Sequence, residues 1–471
     1  MTCEVESLAE RQAFWKTLFE EEKLTSQLAS LATKHVDHGV TYYDMTQYGQ
    51  IHVKVESGSA LGDNFQSDTF IVTVQMLRDT GEKTLSTFIK VLPSNIFIRK
   101  SVCKYRVHQR EINIYQNFFK LLREIHRPDK KIPLDVPDVY YSHIEDIIPG
   151  ETDGSGTCIL LENLKAEGYR MADKVEGADY QHCKMALTSL AHYHALTLSA
   201  VRKWKDLTTG ELSQVPSSAK FLVEEKTMHD GDIVQIISGF SVSIVNFLKK
   251  IERPDLVEWV TSFTSRISEV ILVDTLESSG PLGCILHGDY WINNILFKYD
   301  VKETNIPVSL KMLDFQTSRI GHPLSDVLYF FYSSTKPETR EKHMLVLLRH
   351  YFDTLTVDLE LLSVSLDDYT WQDFWSDYKK RSLMLMFMGI MVLSFVLNKK
   401  TLTKLDEMDA EERLKEPKVS DEEKVKGESG MSLDVEESMR NMMSSQKLSD
   451  NPVLTDRILR LIDEVKTLNG S

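Results

Sequence analysis

The sequence is poor in what would mark a secreted or metal-stapled protein. Its 471 residues include five cysteines, Cys3, Cys103, Cys158, Cys183 and Cys284, and no CxxC pair. An odd, scattered set of thiols argues against a disulfide framework and a structural zinc site, and fits a reducing compartment. Residues 1–6 offer neither a basic head nor an apolar stretch, so no secretory signal is expected there. No internal repeat is visible. Positive charge is also scarce: 55 Lys and Arg stand against 70 Asp and Glu, a formal charge of −15. Such an average field repels phosphate, which argues against nucleic acid or an anionic membrane as partner while leaving room for a local basic pocket.

Long apolar runs are nearly missing too. One candidate, residues 383–397 (LMLMFMGIMVLSFVL), has Lys379, Lys380 and Arg381 before it and Lys399 and Lys400 after it. A spanning helix needs about 20 residues, and this run is shorter. It reads as a buried core helix, and the protein as cytosolic with no stable membrane insertion.

What is present is the ordinary material of a globular chain, 42% hydrophobic and 27% charged, which excludes wholesale disorder. Residues 5–35 read as an amphipathic helix carrying Leu8, Phe14, Leu18 and Leu24. Ile51, Val53 and Val55 then alternate with polar residues, as in a half-buried strand. Further strands are expected at 70–76 and 87–92, so that 50–92 forms a three-stranded antiparallel meander. A helix follows over 100–125, then strands near 136–144 and 157–161. Helical periodicity dominates from 178 onward, apart from a strand–loop–strand stretch at 283–320. Residues 402–447 are crowded with Lys, Glu, Asp and Ser and have no aromatic residue. Their composition cannot offset ordering entropy, so they read as a mobile insertion. A last helix is expected over 453–468.

Two short apolar runs each end in a carboxylate. Cys284-Ile285-Leu286 leads to His287-Gly288-Asp289, with Asn294 five residues later, and Met312-Leu313 leads to Asp314-Phe315-Gln316. Two strands that deliver carboxylates at neighbouring loop ends can place both at one cation. Transfer of a phosphoryl group from ATP needs Mg2+, a hard ion that takes oxygen ligands from carboxylates and amides. It also needs a carboxylate beside the attacking hydroxyl to accept its proton. Asp289 suits the base; Asn294 and Asp314 suit the metal. The same residues also allow a blander interpretation, a buried histidine beside a turn aspartate.

The order H-x-D-x-x-x-x-N followed by D-F-x matches the protein-kinase layout. With Gly288 after the histidine and Trp291 two residues after Asp289, it is more similar to aminoglycoside phosphotransferases and choline kinases. HGDYWINNILF and MLDFQTSRIGHPLSDVLYFFYSS together resemble the ecdysteroid-kinase-like family of arthropods. The resemblance covers roughly residues 40–400 and the last helix, and is strongest at 284–334. It implies an α+β, two-lobed protein-kinase-like fold: a helical extension over 1–40, an antiparallel-sheet lobe over 41–161, and a mainly helical lobe over 162–471 containing the charged insertion.

The resemblance also implies roles upstream. Asn64 and Ser67, in the loop Leu61-Gly62-Asp63-Asn64-Phe65-Gln66-Ser67, take the place of a phosphate-covering loop, though any hairpin turn uses such residues. Lys90, inside the apolar strand Phe88-Ile89-Lys90-Val91-Leu92, needs a partner, and Glu111 is the kinase-like candidate to hold it against the ATP phosphates. Either residue can instead be a solvent-facing charge. Glu162 and Asn163 resemble the hinge that binds adenine through main chain. Asp326 matches the family's second acidic position and, with His287, is expected to brace the catalytic loop. Trp371 and Trp375 are candidates for an acceptor pocket, although their helical spacing with Phe374 and Tyr378 also suits a core. His192 and His194 lie two apart on a helix, on different faces, and are not expected to bind metal.

The function implied is transfer of the ATP γ-phosphate to a hydroxyl of a small organic molecule, an ecdysteroid or another lipophilic alcohol. A choline/ethanolamine-type or aminoglycoside-type kinase is the alternative acceptor class. A catalytically inactive nucleotide-binding module is the alternative from outside the enzymes, and the intact Asp289, Asn294 and Asp314 argue against it. No pattern in the sequence specifies an oligomer.

Overall fold

The computed structural model describes residues 12, 15, 16, 19, 39–45, 49–58, 66–78, 81–93, 95–125, 132–145, 156–205, 212–223, 231–264, 266–267, 280–302, 305–366, 369–397, 448–449 and 451–470. They fall into two compact units. One holds those up to Gln116 together with Val136–Arg170; the other holds the remainder.

The first unit is built on a six-stranded antiparallel sheet. Its strands are β1 (Gly39–Met45), β2 (Gly49–Ser57), β3 (Asp68–Arg78), β4 (Gly81–Val91), β5 (Val139–His143) and β6 (Cys158–Glu162), in the order β1-β2-β3-β4-β6-β5. The expected meander is therefore part of a larger sheet, with β1 added at its edge. The period-2 alternation sends Val53, Val55, Val72, Val74, Met76, Ile89 and Val91 into one core face. Lys90, between two of these, points to the opposite face yet is only 4% exposed. Trp15 and Phe19, one helical turn apart, bury against the same core as the valines, while Gln12 and Lys16 are exposed. Leu8, Phe14, Leu18 and Leu24, expected on that helix, lie outside the described residues, as do 402–447.

The helix expected over 100–125 is broken. It comprises α1 (Ile96–Lys104), α2 (Val107–Asn113), a π-helical turn (Ile114–Phe118) and α3 (Phe119–Ile125). The break falls at Arg106, whose φ of 49° is left-handed, and no Gly or Pro announces it. A short strand, β7 (Tyr169–Met171), follows β6 in the chain.

The second unit is mainly helical. Its axis is α4 (Tyr180–Trp204), started by Asp179, whose carboxylate accepts the His182 N–H at 3.0 Å. Beyond α5 (Lys220–Val223), α6 (Gly231–Lys250) and α7 (Pro254–Thr264) the chain forms β8 (Cys284–Ile285), the hairpin β9 (Ile295–Tyr299) and β10 (Pro307–Met312), and β11 (Ile320–Gly321), which pairs with β8. Among the described residues it continues with α8 (Leu324–Ser334), α9 (Pro337–Leu361), α10 (Trp371–Leu397) and α11 (Pro452–Leu468).

Helix α8 is buried all round, as its run of aromatic residues requires. It packs against α10 at Gly389, where an added methyl would come within 2.6 Å of Tyr332 Cβ. The apolar run 383–397 is the end of this 27-residue helix, longer than the sequence pattern showed because the amphipathic stretch from Trp371 continues into it. Among the described residues α10 is the one helix long and apolar enough to cross a membrane, and 67% of its most apolar window is buried within the protein. Burial, not length, makes it a core helix. Asn451 caps α11 through Val453 N at 2.9 Å, with Pro452 in the first turn.

Candidate active site

Two loops converge in the helical unit. One joins β8 to β9 and carries residues 286–294; the other joins β10 to β11 and carries 313–319. They are tied together by main-chain bonds, Leu286 N to the Arg319 carbonyl at 2.8 Å and Leu313 N to the Asn294 carbonyl at 2.9 Å.

His287 is fully buried and its hydrogen bonds are structural. Its main-chain N–H donates to Asp326 at 2.7 Å, and its Nε2–H donates to the Leu313 carbonyl at 2.8 Å. Nδ1 then accepts from Asp289 N at 3.4 Å. Burial holds the imidazole below its usual pKa, against the pull of Asp326 and Asp314. A neutral ring committed on both nitrogens is a brace. Gly288 follows at φ 88°, with its N–H on Asp326 at 2.9 Å, and a Cβ there would collide with the Thr317 carbonyl.

Asp326 sits in the first turn of α8 and takes both N–H groups of the His287-Gly288 turn. Its Oδ2 also accepts from His194 Nε2 at 3.0 Å, and His194 Nδ1 accepts the Tyr351 hydroxyl at 2.7 Å. Burial alone would raise the Asp326 carboxyl, but His194 and the Gly288 N–H outweigh it and hold it below the usual range. His194, set aside as a metal ligand, is thus a partner of the brace.

Asp289 is half-buried at the loop end. Oδ1 accepts the Tyr329 hydroxyl at 2.7 Å, and Oδ2 accepts Asn294 Nδ2 at 3.0 Å, a group that also bonds the Asp289 carbonyl at 2.9 Å. Burial and then the neighbouring Asp314 charge push the carboxyl up to about 6, against Tyr329, Asn294 and the Trp291 indole N–H, which favour the ionised form. Asp314 itself has φ 66°, a left-handed conformation uncommon for a residue with a Cβ. Phe315 anchors it, with its ring 4.3 Å from His287 and 4.9 Å from Phe119. His287, Asp289, Asn294 and Asp314 are therefore brought together as their spacing implies, and Asp326 joins them as the family resemblance implies. Tyr329 and Trp291 are additions, and Tyr329 was legible as the residue one helical turn after Asp326.

In the sheet unit, Lys90 Nζ donates to both oxygens of Glu111, at 2.7 and 2.9 Å, with Glu111 fully buried. Both are interior charges; neither faces solvent. Ser67 is buried beside Gln66, whose carbonyl meets His108 Nε2 at 3.2 Å, while Asn64 lies outside the described residues. At the end of β6 the side chains are already engaged: Glu162 accepts Asp138 N at 3.3 Å and Asn163 donates to Ser86 at 2.7 Å. The main chain bonds too, Glu162 N to the Asp138 carbonyl at 2.8 Å and Ala166 N to the Asn163 carbonyl at 3.0 Å. Trp371 and Trp375 are half-buried in a row on α10, 6.4 Å apart, with Trp375 stacked on Tyr378 at 5.0 Å and Trp371 on Phe374 at 5.6 Å.

The family model that matches this chain is described as the ecdysteroid kinase-like family, over residues 61–364. The chain belongs to the ecdysteroid kinase-like family. As an ecdysteroid kinase-like protein it has the two-lobed, protein-kinase-like α+β fold, with a small antiparallel-sheet lobe and a larger helical one, and it belongs among the small-molecule kinases. The match spans Lys90 to Asp326, whereas Trp371 and Trp375 lie beyond its end. Among solved structures, the choline kinase from Cryptosporidium parvum Iowa II is similar at 11% identity, covering 83% of this chain and 94% of that chain with a TM-score of 0.39. No curated protein matches the chain in sequence.

Proposed function

We propose that this protein is an ATP-dependent phosphotransferase that moves the γ-phosphoryl group onto a hydroxyl of a small organic acceptor. The setting of Asp289 carries the proposal. A carboxyl raised to about 6 is ionised at neutral pH yet basic enough to take a proton. The acceptor O–H donates to Asp289; as its oxygen attacks the γ-phosphorus, the proton passes to the carboxylate, and the bridging oxygen leaves with ADP.

Asn294 and Asp314 fit Mg2+. The amide nitrogen of Asn294 is committed to Asp289, so its carbonyl oxygen is the atom left for a cation. Among the described residues no three His, Cys, Asp or Glu converge as a metal cage, and an amide with a carboxylate suits an ion that shares its coordination with phosphates and water. Held by the Asn294 carbonyl and the Asp314 carboxylate, Mg2+ would supply positive charge to offset that of the phosphates. Lys90, held by Glu111, is the cation assigned to the α/β-phosphates, and Ser67, Asn64 and the main chain at Glu162 and Asn163 complete the residues proposed for ATP. The acceptor is a lipophilic alcohol of the ecdysteroid kind, with Trp371 and Trp375 offering aromatic faces to a flat ring system. The enzyme works in the cytosol, with no nucleic-acid or membrane partner.

The test is an ADP-release assay across sterols, cholines and aminoglycosides, with Mg2+ and with chelator. Acceptor-dependent, Mg2+-dependent ADP release with an ecdysteroid or related alcohol is the expected result. Failure of MgATP to bind, measured by calorimetry, would overturn the nucleotide assignment; turnover with choline alone would overturn the acceptor class.

A further inference from the structure

Helix α8 touches the catalytic loop twice from one face. Asp326 holds the main-chain N–H groups of His287 and Gly288. One turn later, Tyr329 places its hydroxyl on Oδ1 of Asp289 at 2.7 Å. Asn294 takes the other carboxylate oxygen. A carboxylate on a loop can rotate about its Cβ–Cγ bond, and one donor fixes only one oxygen. Two donors on opposite oxygens fix the plane. Tyr329 is itself immobilised at 9% exposure, and its main-chain carbonyl accepts the Ser333 hydroxyl at 2.6 Å.

We infer that Tyr329 is a positioning residue for phosphoryl transfer, whose phenol locks the Asp289 carboxylate in the plane that presents one lone pair to the acceptor hydroxyl. The inference rests on Asp289 being the base. A phenol suits this task better than a cation. It stabilises the carboxylate by one directed hydrogen bond without adding a charge that would lower the base strength sharply. A phenylalanine would fill the same space and leave Oδ1 without its donor, free to turn.

The experiment compares the full-length chain with Tyr329→Phe, Asp289→Asn and the double variant, by thermal unfolding and by MgATP turnover with an accepted alcohol, or with water as acceptor if none is found. For Tyr329→Phe we expect a drop in melting temperature that is smaller in the Asp289→Asn background. We also expect kcat to fall about ten- to a hundredfold, the range for a lost hydrogen bond to a charged group. KM for MgATP should stay put. An equal loss of melting temperature in both backgrounds would make Tyr329 a packing residue only and overturn the inference. So would an unchanged kcat alongside an inactive Asp289→Asn. Full turnover in Asp289→Asn would instead overturn the base assignment, while the thermal comparison still reports the Tyr329–Asp289 coupling.

Discussion

A carboxyl raised in the folded state works against stability at the pH where it works for chemistry. Asp289 binds its proton more tightly when folded, at about 6, than in the unfolded chain, at about 3.8. Its contribution is therefore full below pH ~4 and is lost as the pH rises through 6. In metal-free protein, Asp289→Asn should be more stable than the parent at pH 8, by about 3 kcal/mol at most, with the gap closing by pH 4. Urea midpoints at the two pH values check this, and a variant less stable at pH 8 would contradict the raised carboxyl. The same substitution should lower turnover about 10²–10⁴-fold, the usual range for a lost general base. In the parent, kcat/KM should fall about tenfold per unit below pH ~6, because that ratio titrates the free enzyme. A flat profile down to pH 5 would remove Asp289 from the role.

Elements explain why some of this was legible and some was not. The loops at 287–294 and 314–316 are short, so the spacing of His287, Asp289, Asn294 and Asp314 is local and a sequence displays it. The brace is different: Asp326 meets His194 from 132 residues away, and His194 meets Tyr351 from 157 away. Only the packing of α4, α8 and α9 brings them together, and no periodicity encodes that. Arg106 ends α1 without Gly or Pro, so the broken helix was equally silent. Strand β1 lay outside the segment whose alternation was strongest. Lys90 stood out because a charge in the apolar part of β4 needs a partner, and Glu111 on α2 supplies it. Lys90→Met should take from the buried Glu111 carboxylate the ammonium that donates to both its oxygens, and destabilise the protein by about 3–5 kcal/mol. Adding Glu111→Gln should recover part of that loss in thermal melts. No recovery would show that the lysine matters only for ligand.

For the whole molecule, the proposed nucleotide binding would report on fold and site together. A ligand bound only by the folded state stabilises it by about 2.7 kcal/mol at a hundred times its Kd. MgATP should therefore raise the melting temperature of the parent protein, and Asp314→Ala should abolish the Mg2+-dependent part of that rise. Its persistence in the variant would count against a metal role for Asp314. Stability in the helical unit also depends on the most C-terminal helix. Arg340 meets Glu464 at 2.8 Å, Arg253 meets Asp463 at 2.9 Å, and α11 buries Leu454, Ile458, Leu461, Ile462 and Val465.

That last helix sets a timetable for birth on the ribosome. Helices α9 and α10 leave the tunnel before α11, and α11 is part of what covers them. During synthesis, apolar surface on the nascent unit must wait, exposed, until residues 452–468 have emerged. Chains fold domain by domain as they are made, and uncovered apolar surface in that interval invites aggregation. A message cut between residues 320 and 452 would release a chain that holds both loops of the candidate active site and still lacks this cover. Such a fragment would be a client for chaperones and proteases, and its escape from them would turn on whether α11 has emerged.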